Sequence, residues 1–213
     1  MPSIISSRSR VGIDFDNTII AYDDVFCAMA KRSGLIAGSF VGRKRAVRDA
    51  IRLLPEGEIA WQRLQGQVYG KGIAGATMMP GAKAFIRRCR IEGYEVAIVS
   101  HKTEYGHGDP DRVNLRKAAL DWMEAQGVLD DDHAVPPRNV YFESTRQEKL
   151  ARIASLSLTH FIDDLEEVLS DPGFPSDIQR ILFAEGEFPH TVPYLVCPTW
   201  HDIEYRVFGG ASH

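Results

Sequence analysis

Residues Arg10–Ile19 read RVGIDFDNTI. Val11 and Ile13, with the small Gly12 between them, form a short apolar run of the kind that fits a strand buried on both faces. The run ends in two carboxylates one residue apart, Asp14 and Asp16, followed by Asn17 and Thr18. Charged side chains are rarely buried unless they are paired or bound to metal, so two of them at the tip of an apolar strand need a reason. Side chains two apart on a strand share a face, which lets Asp14 and Asp16 point into one pocket. Such a site offers only oxygen and suits a hard cation such as Mg²⁺. The plainer alternative is that Asp, Asn and Thr merely cap the next helix or form a turn. What stands at the ends of the other strands decides between the two.

Working outward, the next three segments predict helices. IIAYDDVFCAMAKRSG carries Ile20, Val25, Phe26, Met29 and Ala30 at helical spacing and stops at Gly34. VGRKRAVRDAIRLLPEG places Val47, Ile51 and Leu54 on one face, and EIAWQRLQGQVYGKG does the same with Ile59, Leu64 and Val68. Nothing between Asp24 and Thr77 reads as a strand, and roughly 55–60 residues is too long for an ordinary connection. Residues 21–77 therefore predict an all-helical insertion, and residues 1–20 with 78–213 an α/β core. In that core, MMPGAKAFIRRCRIEG predicts a helix with Ala84, Phe85 and Cys89 inward. EVAIVSHKT is a buried strand ending in Ser100, His101 and Lys102, and VNLRKAALDWMEAQG is a helix. NVYFES is a strand, TRQEKLARIASL a helix with Lys149 in an early turn, and THFIDD a strand ending in Asp163 and Asp164. QRILFAE is a last strand and HDIEYRVF a closing helix.

Strands alternating with helices imply a Rossmann-like, mostly parallel sheet with helices on both faces and right-handed crossovers. Ligands bind such sheets beyond the carboxyl ends of the strands. There the chain places Asp14 and Asp16, Ser100, and Asp163 and Asp164, with Lys149 on the helix after another strand. Four polar stations, each following an apolar run, are more than helix capping explains.

The composition is that of a soluble globular protein: 213 residues, 44% hydrophobic and 25% charged. A formal net charge of −4 provides no basic field for nucleic acid. Cys27, Cys89 and Cys197 are three, odd in number and far apart, and read as reduced thiols of a cytoplasmic protein rather than disulfides or a zinc site. The opening MPSIISSRSR lacks the apolar core of a signal peptide. No stretch approaches the ~20 apolar residues that span a bilayer. The expectation is a cytoplasmic protein with neither nucleic-acid nor membrane partners, its oligomeric state (monomer or homodimer) left open.

Four carboxylates converging on one crevice repel one another and raise one another's pKa values, which a divalent cation relieves. With no His or Cys in the cluster, Mg²⁺ is favoured over Zn²⁺. A carboxylate can also act as a nucleophile and form an aspartyl-phosphate, after which phosphoryl transfer needs in-line positioning and neutralised oxygens. DFDNT, VAIVSHKT, ESTRQEKL and HFIDDLEEV resemble, in order and context, the four motifs of the haloacid dehalogenase (HAD) superfamily over approximately residues 10–185. The resemblance implies a phosphatase: Asp14 as nucleophile, Asp16 as general acid/base with its backbone carbonyl on Mg²⁺, and Ser100 and Lys149 as the catalytic partners from the second and third motifs. It implies phosphate contacts from Ser100 and Lys149 and a phosphate or structural contact from Thr18; His101, next to the serine, is a further candidate phosphate contact by its position. It also implies a metal site of Asp14, Asp16, Asp164 and Asp163, with Asp164 as the direct ligand and Asp163 as its partner. An acid at position 16 argues for phosphate chemistry, because the dehalogenase branch lacks one there. The insertion is similar to a C1 cap, found in members that act on small soluble metabolites, so a small phosphorylated substrate is expected. A phosphomutase or phosphotransferase using the same site is the alternative, and a non-catalytic binding protein on this fold a weaker one.

Outside these motifs, Arg43, Lys44, Arg45 and Arg48 crowd one end of an inserted helix; they read as a solvated face or as groups that meet an anionic substrate. Trp61 and Tyr69 read as core. Lys102, like His101, follows the serine directly and is as well explained by loop placement as by a role at the site. His107 and Asp109, in the Gly-containing loop EYGHGDPDR, fit the border of the crevice or a surface turn equally, and Leu120, Trp122 and Met123 the buried stripe of a helix.

Overall fold

A computed structural model describes residues 9–109, 111–186, 188–189 and 191–209. The first eight residues, read above as carrying no signal sequence, and Pro110 of the Gly-containing loop lie outside the described residues. The chain divides into two compact units: Met1–Ile19, Met79–His101 and Gly127–His213, and Ile20–Met78 with Lys102–Gln126.

The first unit is a six-stranded parallel sheet. Its strands are β1 (Arg10–Ile13), β4 (Glu95–His101), β5 (Val140–Glu143), β6 (His160–Asp163), β7 (Gln179–Phe183) and β8 (Leu195–Cys197), in the spatial order β5-β4-β1-β6-β7-β8. Counted among parallel strands alone, this is the doubly wound order 3-2-1-4-5-6, and the order reverses at β1, between β4 and β6. Register is tight there, with Ile13 level with Ile98 on one side and Ile162 on the other. Gly12 is required by packing. A Cβ at this position would lie 2.5 Å from Leu158 Cδ1 and 2.6 Å from Phe161 Cδ2, so only glycine lets that layer close over β1.

Helices cover both faces. On one, α6 (Arg146–Ser155) and α7 (Glu166–Leu169) close a core of Ala97, Val99, Ile153, Phe161, Leu169 and Leu182. On the other lie α4 (Ala82–Ile91) and α8 (Trp200–Phe208), where Trp200 packs against Phe85 and Phe183 at ring separations of 5.1 and 5.7 Å. The α/β class and the strands read from sequence are present. The short β8, which no apolar run announced, adds the sixth strand.

The second unit holds α1 (Asp23–Arg32), α2 (Lys44–Arg52), α3 (Gly57–Tyr69), a 3₁₀ turn (Lys71–Gly75) and α5 (Leu115–Ala125). It is not all-helical. β2 (Ile20–Ala21) and β3 (Thr77–Met78) pair antiparallel, which takes Ile20 out of the expected first helix. The helix expected in the core, α5, belongs to this unit, because the buried Trp122 donates its indole N–H to the Ala76 carbonyl at 3.2 Å. The unit's core is aromatic: Phe26 stacks on Trp61 at 5.1 Å, and Tyr22 meets Tyr69 edge-on at 4.9 Å. Two backbones cross closely where a Cβ on Gly106 would sit 2.5 Å from Gly66 Cα. Leu54 and Ile59, expected on buried faces, are exposed instead. Leu54 falls beyond the end of α2, and Trp61 takes the inward place on α3. Among the described residues no helix is long and apolar enough to cross a membrane.

Candidate active site

The switch point brings the acidic ends of β1 and β6 side by side. The Asp14 N–H donates to the Ile162 carbonyl at 2.8 Å, carrying the ladder one residue past β1. The chain then turns. Asn17 adopts the left-handed conformation (φ 59°), which asparagine tolerates better than most residues. The Ile19 N–H closes the turn on the Phe15 carbonyl, and the Trp200 indole N–H donates to the Thr18 carbonyl at 3.1 Å. The loop bearing Asp14, Asp16 and Thr18 is thus fixed at both ends by the first unit's own core.

Lys149 arrives from the other direction. The Thr145 hydroxyl accepts from the Glu148 N–H, while the Glu148 carboxylate accepts from the Ser144 and Thr145 N–H groups. This reciprocal cap, typically worth about 1 kcal/mol, ties the start of α6 to the end of β5. Lys149 follows in the first turn and is only 1% exposed. Its ammonium donates to Asp14 Oδ1 and to Asp163 Oδ2, both at 2.6 Å. Asp163 is fully buried, and its other oxygen accepts the Leu165 N–H at 2.9 Å. Asp164 is half-buried. One carboxylate oxygen each from Asp14, Asp163 and Asp164 lies within 4.8 Å of the others.

These carboxylates carry more negative charge than one lysine neutralises. Burial holds the Asp14 carboxyl well above its ordinary value; Lys149 pulls it down, and Asp163, Asp164 and Asp16 push it up again. For Lys149, burial works against the charged form, but Asp14 and Asp163 outweigh it and leave the ammonium raised. An oxygen-only donor set with excess negative charge fits a hard divalent cation.

Two further side chains stand out because they lack partners. Ser100, at the carboxyl end of β4, and Thr18 are fully buried, and neither hydroxyl has a hydrogen-bond partner among the described residues. Buried polar atoms in native proteins are ordinarily satisfied, so these two are candidates for a bound group that completes them. His101 departs from expectation. Strand alternation turns it to the opposite face from Ser100, and its exposed ring is bonded through Nε2 to the Ser144 carbonyl at 3.0 Å. The phosphate contact expected of His101 is not supported by this geometry, and strand periodicity was the signal that separates it from Ser100. Asp109 forms a buried turn, accepting from the Asp111 and Val113 N–H groups.

No protein-family model matches the chain, and no curated protein matches it. Solved structures do match. A predicted phosphatase from Clostridium acetobutylicum superposes with a TM-score of 0.59 at 13% identity, over 94% of this chain and 98% of that one. A HAD-hydrolase from Bacillus subtilis bound to magnesium superposes at 0.55 and 13% identity, over 95% and 100%. A dehalogenase superposes at 0.50 and 13% identity, over 97% and 100%. The fold is that of the HAD-like hydrolases. On this HAD-like fold the carboxylate–lysine cluster sits at the strand ends where the sheet order reverses, which is where open α/β sheets bind their ligands.

Proposed function

We propose that this chain is a Mg²⁺-dependent phosphatase of the HAD type, acting on a small phosphorylated metabolite through an aspartyl-phosphate on Asp14. The observation that carries the reading is the bridge from Lys149 to both Asp14 and Asp163, with Asp164 alongside and Asp16 close enough to raise the Asp14 carboxyl. Asp16 favours phosphate esters over haloacids, since a leaving alkoxide needs a proton and a halide does not. The magnesium-bound Bacillus structure and the Clostridium phosphatase on the same fold support the same direction. The inserted unit is read as the C1-type cap that the motif resemblance implies.

Asp14, Asp164 and the Asp16 backbone carbonyl would hold Mg²⁺. Asp163 has both oxygens engaged by Lys149 and Leu165 and acts as the partner that fixes them. When bound, the ion supplies positive charge that lets carboxylates and a phosphate dianion share one crevice. Lys149 keeps the Asp14 carboxylate oriented and adds a charge for the phosphoryl oxygens, and the Ser100 and Thr18 hydroxyls donate to the same group. An Asp14 oxygen attacks phosphorus in line. The bond from phosphorus to the leaving oxygen breaks, and Asp16, as general acid, gives that oxygen its proton. Water then attacks phosphorus, Asp16 takes a proton from it, and the bond to Asp14 breaks. This regenerates the carboxylate and releases inorganic phosphate.

The test is phosphate release from a panel of phosphorylated sugars, nucleotides and small acids, with Mg²⁺ and with EDTA, by wild type and Asp14→Asn. Release is expected to require Mg²⁺ and to fall more than about 10³-fold in the variant. Release that survives EDTA, or an Asp14→Asn enzyme of near wild-type rate with deamidation excluded by mass spectrometry, would overturn the assignment.

A further inference from the structure

The loop that carries Asp14, Asp16 and Thr18 is held by a side chain from the far end of the chain. Trp200 opens α8, and its neighbour Thr199 caps that helix, the Thr199 hydroxyl accepting the Asp202 N–H at 3.1 Å. Trp200 is 1% exposed, and its indole N–H donates to the Thr18 carbonyl, 182 positions earlier in the sequence. An indole has one donor and no acceptor, so this bond satisfies its only polar group, and the rings of Phe85 and Phe183 seat the rest. Gly81, in the left-handed region at φ 92°, makes room for the side chain: a Cβ there would lie 2.8 Å from the Trp200 Cβ.

The bonded carbonyl follows directly on Asn17, whose φ of 59° is a conformation that a residue with a side chain keeps where its surroundings impose it. Hydrogen bonds on its carboxyl side do so. The Ile19 N–H closes the turn on the Phe15 carbonyl at 3.0 Å, the Met79 N–H donates to the Ile19 carbonyl at 2.8 Å, and Trp200 donates to Thr18. Of these the Trp200 bond alone is made by a side chain, so a substitution can remove it and leave the backbone groups in place. On one side of Asn17 stands Asp16, and on the other Thr18, whose buried hydroxyl has no partner among the described residues. A turn that relaxes here moves both groups, and misplacing a reacting group by about 1 Å costs on the order of 10²-fold in rate.

We propose that Trp200 is a positioning residue for the reaction assigned to Asp14: by holding the Thr18 carbonyl it fixes the turn through Asn17, and with it the Asp16 carboxyl that protonates the leaving oxygen. The proposal rests on the phosphatase reading above. A displaced Thr18 hydroxyl slows every phosphate ester alike, whereas a displaced Asp16 matters only where the leaving oxygen needs a proton. The signature of Trp200 is therefore a dependence on the leaving group.

Trp200→Phe, which keeps a ring in the seat and deletes the donor, tests this. Turnover by the full chain in Mg²⁺ is measured on two esters: the alkyl phosphate of the panel that wild type releases fastest, and p-nitrophenyl phosphate, whose nitrophenolate departs without a proton. The ratio of kcat for the alkyl ester to kcat for the nitrophenyl ester should fall about tenfold or more in Trp200→Phe. Phe85→Leu loosens the packing around the same ring without touching the bond, and should slow both esters by one factor and leave the ratio at its wild-type value. Circular dichroism is recorded for each variant. Should Trp200→Phe not fold, Gly81→Ala takes its place, pressing a methyl group on the Trp200 Cβ, with the same fall in ratio expected. An unchanged ratio in the folded variant, or an equal fall in Phe85→Leu, would remove Trp200 from the reaction while leaving the phosphatase reading intact. Wild type that releases phosphate from no ester overturns that reading, and the role of Trp200 with it.

Discussion

At the switch point of the sheet one lysine stands among four carboxylates, while around Tyr69 two lysines stand among aromatic rings. In the first cluster the countercharge is close: Lys149 is hydrogen-bonded to two carboxylates at 2.6 Å and all three groups are buried. In the second, Lys44 is half-exposed and meets, among other groups, the Tyr69 hydroxyl and two ring faces. The difference separates a lysine wholly buried between two carboxylates from a half-exposed one that meets a phenol hydroxyl and ring faces. The two clusters therefore differ in how much stability each lysine carries.

The sharpest break of that comparison is Lys149→Met. Removing one partner of a buried ion pair strands the other charges, and the expected loss of stability is about 3–5 kcal/mol, measured by urea denaturation in EDTA. Adding Asp14→Asn to Lys149→Met should restore part of that loss, because the stranded anion goes too. A single-variant loss below about 1 kcal/mol would mean that Lys149 is not what compensates Asp14 and Asp163.

Ser100→Ala probes the same cluster without its charge. The hydroxyl has no partner among the described residues, so its removal is expected to change stability by less than about 1 kcal/mol. Turnover should nevertheless fall about 10–100-fold if the hydroxyl donates to the transferring phosphoryl group. Equal turnover in Ser100→Ala and wild type would remove Ser100 from the chemistry.

Lys44→Met is the counterpart in the second unit. A partly exposed cation over aromatic rings contributes about 0.5–1 kcal/mol, so the same denaturation experiment should show a loss several times smaller than for Lys149→Met. Comparable losses would erase the distinction between the clusters.

Much of the first cluster was legible in the sequence because parallel strands leave a strong trace. An apolar run buried on both faces that ends in acid is hard to produce otherwise, and RVGID and HFIDD each do so, while VAIVS ends in a serine. Asp163 has both oxygens in hydrogen bonds, to Lys149 and to the Leu165 N–H, a difference from Asp164 that the run of two acids does not show. The second cluster was not legible. Helical periodicity says that α5 has an apolar stripe but not which surface it meets, so the helix was placed in the core although Trp122 bonds to Ala76. Tyr69 read as core, and Lys102 as a site or a loop residue alike, because their meeting depends on packing between segments far apart in the chain. The strands β2, β3 and β8, of two or three residues, are too short to show any period at all.

The smallest expected effect lies on β6, three residues before Asp163. Burial lowers the pKa of His160 below its ordinary 6.5, and a side-chain bond with Gln179 offsets this only partly. On acidification the unfolded chain takes up this proton first, near the ordinary value, while the folded imidazole stays neutral to lower pH. Between those two values the unfolded state binds more protons, so folding stability falls as pH drops through that window and levels off below the folded value. His160→Gln removes this contribution and leaves the buried carboxylates in place. Raised Asp14 acts in the opposite sense, since its folded form binds the extra proton above pH 3.8, so the two contributions are separable by sign. The melting temperature of wild type should drop more than that of His160→Gln between pH 7.5 and about pH 5.5, the range in which histidine titrates. Parallel curves for the two proteins would mean that β6 holds its histidine as water does, and that the low-dielectric environment is confined to the carboxyl end of the strand.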